Sequence, residues 1–336
     1  MRFRDIGVTV GTLETGKNNA ITDVEGVLVG HHALHEGESI RTGVTAILPH
    51  GGNLFTEKVR AAVHTINGFG KACGFEQVRE LGTIETPILL TSTLNVGKVA
   101  DACIDYMLQD NPTLRSINPL VGECNDGYLN EVQGRYVEAE HVFAAINGAT
   151  GGAVIEGCAG AGTGTSCYGF KGGIGTASRK TGDYTVGVLI QTNFGIREEL
   201  TMCGVPIGYH IEKGDEPDSG YGSVMIIVAT DAPLTSRQLE RLAHRVSFGL
   251  GRTGTVCHHG SGDFVVAFST TGIEEAIPDH KQDLNGLFQA VVESVEESVY
   301  NALFAAETMI GHRGNRLDAL SHDVVRQWLR HYRRLS

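Results

Sequence analysis

Ser223 stands where a polar, turn-rich segment, GVPIGYHIEKGDEPDSGYG (204–222), gives way to the apolar run SVMIIVATDAPL. That change predicts an exposed loop ending at Gly222 and a buried strand that begins at the serine itself. Glycine lets the intervening peptide take a strained geometry, so the Ser223 hydroxyl can attack the Gly222 carbonyl and form an ester that water opens. The chain so released begins with Ser223. Its new α-amine, with an ordinary pKa of about 7.7–8.0, can then serve near neutral pH as general base for its own hydroxyl. Taken alone, the Gly-Ser dipeptide more often marks a plain loop-to-strand junction, because it is common in turns.

Other groupings invite chemistry and fit it less well. His31 and His35 in HHALH have the i, i+4 spacing of a zinc pair on a helix, but His32, Ala33 and Leu34 between them supply no glutamate base, and the segment follows a predicted strand. No metal is expected there. His258 and His259 beside Ser261 suggest a Ser-His-Asp triad, which a serine that uses its own amine does not require. GAGTG (160–164) lacks the G-x-G-x-x-G spacing, and Lys171 is followed by glycine where a phosphate-binding loop has Ser or Thr. A ligand-binding protein without covalent chemistry stays as the reading from a different class, and it predicts an uncut chain on a denaturing gel.

The elements that must position Ser223 follow from the apolar pattern. Runs bounded by turn residues predict strands at 26–29, 44–48, 87–90, 184–191, 224–229 and 264–268. Val59, Ala62, Val63 and Ile66, and again Leu239, Leu242, Ala243 and Val246, fall at i, i+3, i+4 and i+7 and predict helices. Thr235 lies three residues before Gln238, a capping box for the second of these. A longer helix carries Leu284, Leu287, Val291, Val295, Val299 and Leu303 on one broad face. The expectation is a mixed α/β protein with helices over a largely buried sheet. Between 157 and 179 the chain is more than one-third glycine, and with 45 glycines in all this predicts tight turns and a site lined by main chain.

Composition sets outer bounds. In 336 residues, 41% hydrophobic, there is enough for a sizeable core, and a net charge of −12 offers no footprint for nucleic acid or anionic lipid. The basic stretch 326–334 predicts the solvated face of a last helix. MRFRDIGVTVGTLETGKNNAITD has no apolar run of signal-peptide type and nothing later reaches 18 apolar residues, which predicts a cytoplasmic protein. Seven scattered cysteines without a C-x-x-C pair argue against a disulfide framework and a zinc site, and predict buried thiols.

The segments NAITDVEGVLVGH (19–31), RTGVTAILPHGGN (41–53), ETPILLTSTLNVG (85–97), FKGGIGTASR (170–179), YTVGVLIQTNFG (184–195), IIVATDAPL (226–234) and NALFAAETMIG (301–311) resemble, in order, the self-cleaving L-aminopeptidase/D-esterase/amidase (DmpA-type) family, which includes the β-aminopeptidases. The resemblance implies a four-layer αββα sandwich of the kind shared with ornithine acetyltransferases, N-terminal-nucleophile-like after self-cleavage. It implies one catalytic domain over 1–336, cut between Gly222 and Ser223 into a large subunit (1–222) and a small one (223–336) that stay interleaved. The activity implied is that of a self-activating serine aminopeptidase or amidase acting on small peptides, amides or esters, without cofactor, as a homo-oligomer, a tetramer of such heterodimers.

Roles for further residues come from the same resemblance. The family places a serine and a carboxylate, spaced S-x-[ED], after the 235–250 helix, here Ser261 and Asp263, with aspartate where some relatives have glutamate. Alternate strand residues face the same way, so both are expected to point at Ser223 and to orient its amine through a hydroxyl–carboxylate relay; Ser-Gly-Asp also favours a turn. Asn193 in QTNFG is implied as the oxyanion donor, or is a turn residue. In VGECNDGYLNE (121–131), Glu123 is implied as the substrate's ammonium partner, with Asn125 and Tyr128 beside it; an exposed helix cap is the plainer reading. Gly162 and Gly164 are expected to line the same cleft with backbone N–H groups. The enzymatic rival is an acyltransferase related to ornithine acetyltransferases, which self-cleave before threonine rather than serine.

Overall fold

Residues 1–212, 221–272, 276–281 and 283–335 are described by the computed structural model, so the stretch 213–220 of the expected polar loop lies outside the described residues. Strands β1 (Leu28–Glu36), β2 (Ile40–Leu48), β5 (Ile88–Ser92) and β6 (Leu120–Cys124) form one sheet in the order β1-β2-β5-β6. A second sheet has the order β4-β3-β12-β11-β10-β9, from β3 (Val59–Gly68), β4 (Thr83–Ile84), β9 (Ile174–Thr181), β10 (Tyr184–Asn193), β11 (Tyr221–Thr230) and β12 (Gly260–Ser269). Between β6 and β9 a small hairpin, β7 (Ser166–Cys167) with β8 (Phe170–Lys171), closes part of the glycine-rich stretch.

The sheets face each other across a core in which Ile47, Ile88 and Leu90 meet Met225, Ile227 and Val266. After the short helix α1 (Phe75–Leu81), helices α2 (Val96–Asp110) and α3 (Ala139–Asn147) cover the outer face of the first sheet, against Val44, Ala46 and Val121. Helices α4 (Ser236–Arg252) and α5 (Asp283–Ala305) cover the second, against Ile226, Val228 and Val265. The result is the four-layer αββα sandwich. The capping box of α4 is formed, Thr235 Oγ1 accepting from the Gln238 backbone N–H while Gln238 Oε1 accepts from that of Thr235.

Three expectations are corrected. The helix predicted over Val59, Ala62, Val63 and Ile66 is strand β3. Both of its faces are buried: Val59, Ala61 and Val63 enter the core between the sheets, while Ala62 and Ile66 pack under the helices. Apolar residues of both parities mimic a helical period, and pairing with β12 decides for the strand. The second correction concerns Ser223, which is the third residue of β11, not the first, since pairing already starts at Tyr221. The histidines 31–35 likewise lie within β1 rather than after a strand.

Strand order also settles how the two halves of the chain depend on each other. β11 from Ser223 onward and β12 lie between β3 on one side and β10 on the other. The chain before residue 222 therefore flanks the chain after it on both edges, and the hydrophobic contacts between them do not depend on an unbroken backbone.

Close approach of α5 to β9 needs a glycine. A Cβ on Gly175 would fall well inside contact with the Ser298 carbonyl oxygen and 2.8 Å from the Ala302 nitrogen, both backbone atoms that cannot swing away. Gly175→Ala should destabilise the fold by about 1–3 kcal/mol or more through overpacking. The urea midpoint checks this: an unchanged midpoint would mean that α5 does not sit this close to the sheet.

Candidate active site

Register decides which way each side chain of β11 points. Ser223 pairs with Asn193 on β10 and with Gly262 on β12, while Gly222 pairs with Ser261 and Val224 with Asp263. Laterally paired residues share a face, so the Ser223 hydroxyl and the Asn193 side chain lie on the side facing the first sheet. Ser261 and Asp263 lie on the other side. Both are expected to point at Ser223 and orient its amine, and the register puts them on the side of its main chain, not of its hydroxyl. The two do face the same way as each other, and Ser261 Oγ donates to Asp263 Oδ1 at 2.6 Å. What they address is main chain: a Cβ on Gly222 would stand 3.3 Å from Ser261 Oγ, which puts that hydroxyl beside the Gly222–Ser223 peptide.

On its own side, Ser223 is buried and opens onto a cavity of about 540 Å³. The backbone N–H of Asn125, just past the end of β6, donates to Ser223 Oγ at 3.1 Å. Asn125 thus enters through its main chain, its side-chain oxygen being taken by the Gly127 N–H at 2.9 Å. Asn193 lines the cavity next to Ser223. Its side-chain oxygen accepts from both the backbone N–H and the hydroxyl of Ser166, each at 3.1 Å, so the amide NH₂ is the end left for the cavity. A donor amide and a backbone N–H near a buried serine are what an oxyanion formed at that serine requires.

Glu123 and Tyr128 line the same cavity. Glu123 is 3% exposed, and its Oε2 is buried without a hydrogen bond among the described residues. Burial pushes its carboxyl up, against the pull of the Lys71 ammonium and backbone N–H. An acceptor of that kind suits a substrate ammonium. Asp263 is also pushed up by burial, to about 6, with the Ser261 hydroxyl opposing the rise.

Gly162 and Gly164 do not reach the cavity. Lys171, fully buried, donates to the carbonyls of Gly162, Thr165 and Gly172 at 3.1, 2.8 and 2.9 Å, and this turns the loop inward onto the ammonium. Gly164 packs against the Arg41 carbonyl. From the glycine-rich stretch it is Ser166 and Gly169 that line the cavity. The histidines lie elsewhere. His258 Nε2 is bound to the Glu199 carboxylate at 3.0 Å, and His259 is exposed. Partly buried His31 shares a hydrogen bond with Thr45 Oγ1 at 2.9 Å, and desolvation of its ring lowers its pKa to about 4.

Residues 19–317 match the model of peptidase family S58. The chain is 39% identical to the beta-peptidyl aminopeptidase BapA of Sphingosinicella microcystinivorans, with 100% of this chain and 93% of that protein covered. Among solved structures it is similar to a β-aminopeptidase from a Burkholderia species, with a TM-score of 0.93, 39% identity and coverage of 98% of this chain and 99% of that one. It is also similar to the L-aminopeptidase D-Ala-esterase/amidase of Ochrobactrum anthropi, described as a prototype for the serine aminopeptidases and a variant of the Ntn hydrolase fold, with a TM-score of 0.91 and 38% identity over 100% of this chain and 99% of that one.

The amide of Asn193 generates a prediction. Asn193→Ala should leave folding nearly unchanged and lower kcat on the order of 10²–10³-fold, the effect of removing one oxyanion donor. Steady-state kinetics on an aminoacyl p-nitroanilide checks this, and a normal kcat would remove Asn193 from the chemistry.

Proposed function

This chain belongs to peptidase family S58, and on that premise we propose that Ser223 first cuts the chain at Gly222–Ser223 and then acts as the nucleophile of the mature enzyme. The chain is a hydrolase, an aminopeptidase of the N-terminal-nucleophile type, and the comparisons favour this over an acyltransferase. The observation that carries the proposal is the division of labour across β11: hydroxyl on one face with Asn125 and Asn193, scissile peptide beside Ser261 on the other.

In the first reaction Ser223 Oγ adds to the Gly222 carbonyl, the peptide nitrogen leaves as an amine on the same residue, and water opens the resulting ester. The products are 1–222, ending in a new carboxylate, and 223–336. In the second, a substrate places its ammonium at Glu123 and its carbonyl over Ser223 Oγ. The Ser223 amine takes the hydroxyl proton and returns it to the leaving group, while the Asn193 amide and the Asn125 N–H receive the oxyanion. Ser261 and Asp263 orient that amine. Substrates are small peptides, amides or esters with a free amine, and the names of the Sphingosinicella and Burkholderia relatives support including β-aminoacyl compounds among them.

Purified protein should run on a denaturing gel as two fragments, 1–222 and 223–336, and Ser223→Ala should give one uncut chain without peptidase activity. Efficient cleavage of the alanine variant would sink the nucleophile assignment. A second prediction concerns pH. kcat/KM should rise through the ionisation of the Ser223 amine, and a carboxylate nearby favours the ammonium form, raising that pKa. Asp263→Asn should therefore move the midpoint of the pH–rate profile downward. A midpoint that stays in place would mean that the Ser261–Asp263 pair does not serve the amine.

A further inference from the structure

Next to the buried anion of the cavity stands a cation that the reaction above does not use. Lys71 lines the cavity with its side chain about half exposed (52%). Its backbone N–H donates to Glu123 Oε1 at 3.2 Å, its ammonium donates to Thr93 Oγ1 at 2.7 Å, and that ammonium lies 3.6 Å from the same Oε1. Oε1 is thus occupied, and Oε2, buried, has no hydrogen-bond partner among the described residues. The subsite offers an incoming molecule one negative acceptor and, beside it, one positive donor with solvent-facing N–H capacity. Arg197, which also lines the cavity, is differently disposed: its guanidinium donates to the carbonyls of Glu212 and Gly169 and lies over the Phe170 ring.

A pair of that kind fits a group carrying an ammonium and a carboxylate on one carbon. An ordinary N-terminal residue has no such group, because the carbon that bears its amine carries the scissile carbonyl instead. A residue linked through its side-chain carboxyl does have one. In a β-aspartyl residue the amine-bearing carbon holds a free carboxylate and is separated from the scissile carbonyl by one methylene, the spacing of any β-aminoacyl group. A γ-glutamyl residue is one carbon longer.

We propose that Lys71 and Glu123 together hold an amino-acid headgroup, and that peptides beginning with a β-aspartyl (isoaspartyl) residue are a substrate class of this site. The proposal rests on the reading of Ser223 as nucleophile and Glu123 as amine acceptor. Glu123 Oε2 takes the ammonium and Lys71 the α-carboxylate, which leaves the β-carbonyl for Ser223. Ser223 Oγ adds to that carbonyl, the C–N bond to the next residue breaks, and its nitrogen leaves with the proton held by the Ser223 amine. Water then opens the ester, its oxygen entering the β-carboxylate of free aspartate.

Three p-nitroanilides test this: β-aspartyl, 3-aminobutyryl and β-alanyl, which share one amine-to-carbonyl spacing and differ only in carrying carboxylate, methyl or hydrogen on the amine-bearing carbon. Wild-type protein should hydrolyse the β-aspartyl compound with a kcat/KM at least equal to that of the 3-aminobutyryl one. Lys71→Met should lower the ratio of these two values about 10–100-fold, the range expected for a lost hydrogen bond between charged groups, whatever its effect on either value alone. Lys71→Arg should largely keep the ratio. A ratio unmoved by Lys71→Met, or wild-type hydrolysis of the 3-aminobutyryl but not the β-aspartyl compound, overturns the headgroup proposal and leaves the aminopeptidase reading standing. Hydrolysis of none of the three overturns both. Should Lys71→Met fail to fold, product inhibition of the wild type decides: L-aspartate should inhibit at least about tenfold more strongly than 3-aminobutyrate, a difference of one charged hydrogen bond, and equal inhibition sinks the proposal.

Discussion

Everything at this site depends on the register of β11. The strand is paired on both edges, and its side chains from Val224 to Ala229 are all buried, alternately between the sheets and under α4 and α5. A slip of one residue would exchange the two sets, moving every side chain to the wrong core. That cost locks the Ser223 hydroxyl on the face toward the first sheet. It also locks the peptide between Gly222 and Ser223 beside Ser261. A single residue thereby presents its hydroxyl to one set of partners and its nitrogen to another, which is what a side chain activated by its own amine needs.

The donors around the hydroxyl are set in place before any substrate arrives. The Asn125 N–H is delivered by the turn that ends β6, where Asp126 is buried and accepts from Ser92 Oγ at 2.7 Å and from Asn130 Nδ2 at 3.1 Å. The Asn193 amide is aimed by Ser166, and Ser166 belongs to a loop whose carbonyls are gathered by the buried Lys171 ammonium. Groups held this way have little reorganisation left to do when negative charge develops. Apart from Gly169, which lines the cavity, the glycines of 160–175 serve the site indirectly, by letting this loop fold tightly around a cation.

Ser223 was legible from the change of composition at 222/223, Asn193 from a matched segment, and Glu123 and Tyr128 from what the resemblance implied for 121–131, and all four border one cavity. The αββα layering and the α4 cap were legible for the same kind of reason. Sidedness was not. Whether Ser261 and Asp263 face the hydroxyl or the peptide depends on which residue of β11 each is paired with, and alternation within β12 says nothing about its neighbour. The Asn125 contact escaped because a backbone N–H has no residue signature. β3 escaped because a strand buried on both sides loses its period of two. Lys71, fifty-two residues before Glu123, carried no motif that would have brought the two together.

The buried acids show what the fold has to sustain. Asp263 and Asp126 are each pushed from 3.8 to about 6 by burial, and Glu123 is pushed in the same direction. An acid whose pKa is higher folded than unfolded binds its proton more tightly in the native state. Below pH 3.8 each aspartate is therefore without effect on the balance. Between 3.8 and about 6 the unfolded chain ionises first and stability falls, and above 6 the full cost remains, on the order of 3 kcal/mol per aspartate. The same burial strengthens every electrostatic contact that the ionised groups make with an ammonium or a reacting centre. Such a site is tenable only inside a large core. Val224, Met225, Ile226, Ile227 and Val228, each fully buried, contribute about 1.5–3 kcal/mol apiece. Since that contribution comes from contacts with strands on either side, with the facing sheet and with α4 and α5, it does not require the bond before Ser223, and the strand that positions the serine can hold it in place with that bond broken.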